Sequence, residues 1–231
     1  MRTLVIGDIH GNFKALKQCL ELANFNPKTE QLISLGDLVD GYPQSKECVD
    51  LLMTFPNFIL IESNHDDWFV DWLRTGAQPN IWTSQGGLAT LKSFDYTFKS
   101  SYLDFFEKRI PWYQLNGKIF VHGGFNPSVP IEEQDPYHLT WDRDLMYYAY
   151  DCHNTKSCTI PKPLKKYDTI YVGHTTTENF GSTGPLKLCN VWCLDTGAGW
   201  NGRLTIMDID TEEYWQSDTG LSLYGPNQGK N

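Results

Sequence analysis

Apolar, β-branched-rich runs recur along the chain at Thr3 to Gly7, Gln31 to Leu35, Phe58 to Ile61, Lys118 to Val121, Thr169 to Val172 and Val191 to Leu194. Short continuous runs of this kind predict strands buried on both faces. Between the first two, Asn12 stands as a helix cap before Phe13, Leu16, Leu20 and Ala23, which recur at helical spacing until Asn26-Pro27. Between the next two, Ser45 to Phe55 offers a second helix with Cys48, Val49, Leu51, Leu52 and Phe55 on its apolar side. The opening third therefore predicts β-α-β-α-β, parallel strands joined by crossover helices.

From Asp66 to Ile110 the pattern changes to aromatic-rich helical segments, with Trp68, Phe69, Trp72 and Leu73, then Leu88, Leu91 and Phe94, then Tyr102, Leu103, Phe105 and Phe106. A helical cap over one end of the sheet is expected within about residues 66–110. The dipeptide Asn116-Gly117 between two apolar runs signals a hairpin, because a type I′ turn needs positive φ at both central residues. Arg203 to Asp210 and Glu213 to Ser217 predict a closing hairpin. Two sheets follow, the first expected to be mostly parallel and the second more antiparallel. With 231 residues, the chain fits a single α/β domain spanning 1–231, since one core keeps growing to roughly 250–300 residues.

Forty per cent apolar residues suffice for such a core, so disorder is excluded. A net charge of −9 opposes binding to a nucleic-acid duplex, while a small phosphorylated substrate needs only local positive charge, which bound cations supply. The opening apolar run is too short for a secretion signal and nothing approaches a membrane span, so a cytoplasmic location without membrane contact is expected. Six cysteines without a CxxC pair predict reduced thiols; Cys152, His153 and Cys158 make only a weak zinc pattern.

Chemistry gathers where the apolar runs end: Gly7-Asp8-Ile9-His10, Gly36-Asp37, Ser63-Asn64-His65-Asp66, His122 and Gly173-His174. In α/β sheets, ligands bind beyond the carboxyl ends of the strands, which places all five motifs at one edge. If the chain stays extended, Asp8 and His10 point to the same side and grip one ion together. Each residue alone reads as a cap, a turn or a hydrogen-bonded histidine. Four of the six histidines nevertheless follow strand-like runs, leaving His138 and His153 as ordinary exposed residues. Carboxylate, imidazole and amide donors together suit Mn, Fe or Zn better than Mg.

Gly7-Asp8-Ile9-His10-Gly11, Gly36-Asp37-Leu38-Val39-Asp40-Gly41, Ser63-Asn64-His65-Asp66, His122-Gly123-Gly124 and Gly173-His174 resemble the ordered motifs of calcineurin-like metallophosphoesterases. Within that family the chain looks most like the phosphoprotein phosphatase branch, which includes bacterial and phage serine/threonine phosphatases and symmetrical diadenosine tetraphosphate hydrolases. The resemblance implies a four-layer α/β/β/α sandwich and two divalent cations, with Mn expected and Fe or Zn as alternatives. By the same resemblance Asp8 and His10 bind the first ion, Asp37 bridges both, and Asn64, His122 and His174 bind the second. His65 and Asp40 resemble the family's catalytic pair, and Arg143 in Trp141-Asp142-Arg143 resembles a phosphate-binding arginine. The segment Asp195-Thr196-Gly197-Ala198-Gly199 looks like the closing segment of bacterial members.

Two departures stand out. Gly41 occupies a position where family members commonly carry a phosphate-clamping arginine, and Glu62-Ser63 replaces the usual Arg-Gly before Asn-His. Glu62 repels a dianion if it faces the site. The implied activity is hydrolysis of a phosphomonoester, with protein phosphoserine or phosphothreonine as the default substrate. The missing arginines and abundant aromatics keep open a hydrolase of dinucleoside polyphosphates or nucleotide phosphodiesters. They also keep open a metal-stabilised binding module with weak catalysis, against which stands the full ligand set with His65 and Asp40.

Overall fold

The computed structural model describes residues 1–155 and 160–230, so Cys158 lies outside the described residues. In chain order the strands are β1 (Thr3–Ile6), β2 (Gln31–Ser34), β3 (Phe58–Leu60), β4 (Tyr113–Leu115), β5 (Lys118–Phe120), β6 (Thr169–Val172), β7 (Leu186–Leu188), β8 (Val191–Cys193), β9 (Thr205–Asp208) and β10 (Tyr214–Gln216). They form two five-stranded sheets ordered β10-β9-β1-β2-β3 and β4-β5-β6-β8-β7.

Alternation along each strand builds the layers. In β1, Val5 points into the inter-sheet core with Ile33, Ile61, Phe120, Tyr171 and Met207, while Leu4 and Ile6 point the other way. In β5 and β6, Phe120 and Tyr171 face the first sheet and stack at 4.9 Å, whereas Ile119, Val121, Ile170 and Val172 face outward. Both outer faces are thus apolar and take helices, giving α/β/β/α.

On the first sheet lie α1 (Phe13–Leu22), α2 (Ser45–Leu52), α3 (Asn64–Thr75) and the short helices α4 (Asn80–Trp82), α5 (Leu88–Ser93) and α6 (Ser100–Phe106), whose Leu16, Val49, Phe69, Trp82, Leu91 and Phe106 share one core. On the second lie α7 (Pro136–Trp141) and α8 (Asp144–Asn154), through Leu139, Leu145, Met146 and Ala149. Asn12 caps α1 by accepting from the Ala15 N–H, and α1 ends at Leu22, before Asn26-Pro27.

The expected division of the sheets is corrected. Each contains two parallel and two antiparallel pairings: β1–β2 and β2–β3 are parallel beside antiparallel β1–β9 and β9–β10. In the second sheet β5–β6 and β6–β8 are parallel beside antiparallel β4–β5 and β7–β8. In the first sheet the β9–β10 hairpin flanks the parallel strands β1, β2 and β3, and in the second the parallel strands β5, β6 and β8 are flanked by antiparallel β4 and β7. The strand at Leu186–Leu188 lacked a continuous apolar run and was not expected. Asn116 and Gly117 take φ of 49° and 76°, the turn their pairing predicts.

Among the described residues no helix is long and apolar enough to cross a membrane. Cys19, Cys48, Cys152 and Cys193 are free thiols, and His138 and His153 are exposed.

Candidate metal centre

The parallel strands β1, β2, β5 and β6 end at one rim, where their following loops converge on a cleft of about 380 Å³. Asp8, His10, Asp37, Asn64, His65 and His174 line it, and His122 lies against Asn64. All seven side chains are buried.

Left-handed backbone shapes this rim. His10, Asp37, Asp40 and His174 have φ of 51°, 50°, 71° and 60°, a region that non-glycine residues seldom adopt. Such strain persists only where surrounding structure enforces it, and it clusters at functional sites. It also corrects the extended reading of Asp8 and His10. The chain turns at His10, yet both side chains reach the same cleft, where Asp37 clusters with His10 and His65 on one side and with Asp8 and His122 on the other.

Asp37 belongs to both groupings. Its Oδ2 lies 3.4 Å from His10 Nε2 and its Oδ1 lies 3.5 Å from His122 Nε2. Burial works to raise the Asp37 pKa, but the fields of His122, His65, His10 and Lys230 outweigh it and hold the carboxylate well below its ordinary value. Asp8 is pushed the other way, by burial and by the nearby carboxylates of Asp195 and Asp37. The carboxyl groups of Asp8, Asp37 and Asp195 thus share one basin.

The histidines face that basin with lone pairs. His10 Nδ1 donates to the Val39 carbonyl at 3.1 Å and His122 Nδ1 to the Leu35 carbonyl at 2.7 Å, which leaves Nε2 as the acceptor in each ring. Burial lowers the pKa of both, and takes His174 down to about 2. His174 Nε2 and Asp8 Oδ1 are buried without a hydrogen-bond partner. Orphaned acceptors beside an ionised Asp37 fit divalent cations, which such groups ligate as neutral imidazole and carboxylate. The residues present therefore fit the expected metals.

Around these donors the fold adds supports. Beside Gly36 (φ 102°) the Asp37 N–H donates to Ser63 Oγ at 2.7 Å, so the serine at that position supports Asp37. Asp66, in the first turn of α3, accepts from the N–H groups of Leu38 and Val39 and ties that helix to the Asp37 loop. The His174 N–H donates to Asp8 Oδ2 at 2.9 Å. At Gly173 an added Cβ would lie 2.2 Å from Asp8 Oδ1, so only glycine leaves that carboxylate its place.

His65 and Asp40 meet, Nδ1 to Oδ2, at 2.7 Å. The same carboxylate accepts from Trp82 Nε1 at 2.8 Å and from the Thr90 hydroxyl at 2.7 Å, and the Asp40 N–H donates back to Thr90 Oγ1 at 2.8 Å. Burial pushes Asp40 up to about 8, against the pull of Thr90, and takes His65 down to about 3. Arg143 lines the cleft, its Nη1 donating to the His174 carbonyl at 2.8 Å rather than pairing with Asp142 or Asp144. Glu62 does not line the cleft; it lies half-buried near Arg109.

Sequence reasoning missed Asp195, buried in the cleft wall, and Lys230, whose Nζ lies 3.0 Å from His10 Nε2 and 2.8 Å from His65 Nε2. Asp195 follows the apolar run Val191 to Leu194 in the manner of the other motifs, and that signal was available. Lys230 carried none. Trp141, Tyr147 and Trp200 complete the rim.

Known proteins resemble this chain over most of its length. The family profile described as Calcineurin-like phosphoesterase matches residues 1–198. Serine/threonine-protein phosphatase 2 of Salmonella typhimurium (strain LT2) is 40% identical over 213 residues, covering 89% of this chain and 91% of the relative. A symmetrical bis(5'-nucleosyl)-tetraphosphatase of Methylobacillus flagellatus is 23% identical over 268 residues, covering 94% and 95%. Among solved structures, one described as a putative diadenosine tetraphosphatase superposes with a TM-score of 0.70 at 17% identity, covering 95% of this chain and 93% of that one.

Proposed function

Because the chain belongs to the calcineurin-like phosphoesterase family, we propose that it hydrolyses phosphomonoesters at a centre of two divalent cations, with protein phosphoserine or phosphothreonine as its substrate class. The observation that carries this reading is Asp37, ionised and buried, with one oxygen toward His10 and the other toward His122. Asp8 and His10 would hold the first cation, Asn64, His122 and His174 the second, and Asp37 would serve both, Mn being the expected metal. Two such cations supply a water of lowered pKa and a clamp on the phosphoryl oxygens.

The chain's own residues do the rest. His10 and His122 are fixed through Nδ1 to backbone carbonyls, so Nε2 of each ring would be the ligating atom. Arg143 binds phosphoryl oxygens from the rim, where its planar guanidinium can engage two at once. His65, anchored at Nδ1 by Asp40, presents Nε2 to the cleft and passes a proton to the departing oxygen there. A bound phosphoryl dianion favours the protonated imidazole and opposes the effect of burial. Residues about 66–110 act as a cap whose Trp82 and Thr90 hold Asp40 in place.

A second reading, hydrolysis of dinucleoside polyphosphates, is favoured by Trp141, Tyr147 and Trp200 on the rim, which offer faces for a base, and by the tetraphosphatase relative. Metal-stripped protein should be inactive on p-nitrophenyl phosphate and on a phosphoserine peptide, and should gain turnover with Mn. Asp37→Asn should abolish that gain, and undiminished turnover in this variant would refute the proposal. Preference for diadenosine tetraphosphate over the phosphopeptide in the same panel would select the second reading.

A further inference from the structure

The cleft contains a cation that no family motif supplies. Residues 225–230 run back across the rim: Gly229 (φ 89°) packs on the Tyr42 ring, and the Lys230 N–H donates to the Gly199 carbonyl at 2.7 Å. From that anchor the Lys230 side chain crosses Gly41. A Cβ built on Gly41 would lie 3.4 Å from Lys230 Cγ, so the lysine stem occupies the space into which a side chain at position 41 would grow.

Position 41 is the first of the two places where the expected arginine is missing. Its φ of 118° is closed to arginine and open to glycine, and Gly86 packs close against its backbone. The loop has therefore taken a form that excludes a side chain there, and the same opening admits Lys230.

We propose that Lys230 is a substrate-binding residue, its ammonium reaching the cleft over Gly41 to hold a phosphoryl oxygen together with Arg143. This rests on the phosphomonoesterase reading above and names the residue that replaces the missing clamp. Nζ has three N–H donors, two of which meet His10 Nε2 and His65 Nε2, leaving a third for a phosphoryl oxygen. When a cation takes His10 Nε2, a second donor is freed. The contact with His65 places the charge beside the imidazole that faces the departing oxygen. Arg143 enters from the α7–α8 junction, so the two cations approach a bound phosphoryl group from different walls.

The test pairs Lys230→Met, which keeps side-chain length and removes the charge, with Lys230→Arg, which keeps the charge; Lys230→Gln serves as a second neutral variant. Binding of inorganic phosphate to the Mn-loaded protein is measured by titration calorimetry, beside KM and kcat on a phosphoserine peptide. Loss of a charged hydrogen bond predicts at least about tenfold weaker phosphate binding in Lys230→Met, a matching rise in KM and a smaller change in kcat. Lys230→Arg should retain most of the affinity. The proposal is overturned if either neutral variant melts like the wild type and binds phosphate as tightly. Tighter Mn binding with unchanged phosphate affinity marks the ammonium as a stand-in for a cation and overturns it equally. If the wild type shows no turnover, the hydrolase reading fails, while the phosphate titration still decides the role of Lys230.

Discussion

Replacing Thr90 by valine tests whether the helical segment beyond α3 controls the His65–Asp40 pair. The hydroxyl donates to Asp40 Oδ1 at 2.7 Å, accepts from the Asp40 N–H at 2.8 Å and lies 3.2 Å from Ser45 Oγ, all fully buried. Valine keeps the branched shape, so the cavity term is small and the loss is polar. Measured above pH 8, where Asp40 is ionised, the hydrogen bond to its carboxylate contributes about 1.5–3 kcal/mol, and orphaning the buried Asp40 N–H costs about 1–3 kcal/mol more. Unfolding free energy should therefore fall by roughly 3 kcal/mol or more, read by urea denaturation of the metal-loaded protein. The carboxylate that orients His65 loses one of its tethers, and if the 1.5–3 kcal/mol appears in the transition state, kcat drops by roughly 10- to 150-fold. The loss should be larger on a phosphoserine peptide, whose leaving oxygen needs a proton, than on p-nitrophenyl phosphate, while KM stays nearly constant. Thr90→Ser, which restores the hydroxyl, should recover most of both. Wild-type kcat on the peptide with unchanged stability in Thr90→Val would show that Asp40 does not depend on this support.

Two further outcomes follow from the same rim. Gly173→Ala puts a methyl 2.2 Å from Asp8 Oδ1 and should weaken Mn binding by tenfold or more, measured by equilibrium dialysis, with the fold intact by circular dichroism; unchanged affinity would remove Asp8 from the ligand set. Saturating Mn gives the orphaned Asp8 Oδ1 and His174 Nε2 a partner, so at a hundred times Kd it should add about 2.7 kcal/mol and raise Tm by roughly 5–10 °C; a thermal scan with no shift would contradict the assigned site.

Much of the candidate site was legible because each ligand follows a strand whose apolar run is itself a local signal. Asp8, Asp37, His122 and His174 sit within three residues of the ends of β1, β2, β5 and β6, and parallel pairing brings those ends to one rim. The supports were not legible. Trp82 and Thr90 reach Asp40 across 42 and 50 residues, and Lys230 reaches His10 across 220. Helical periodicity marks Leu91 as apolar but says nothing of which loop Thr90 touches.

The sequence by itself determined every strand but Leu186–Leu188, the crossover helices, the Asn116-Gly117 turn and the candidate metal-binding side chains, since period, propensity and turn chemistry act over a few residues. Tertiary structure decided the mixed pairing of both sheets, the left-handed turn at His10, the tautomers of the histidines and the arrival of Lys230 over Gly41. These depend on which distant backbone groups and side chains come within hydrogen-bonding reach once the chain has closed on its core, and local patterns carry no record of such distances.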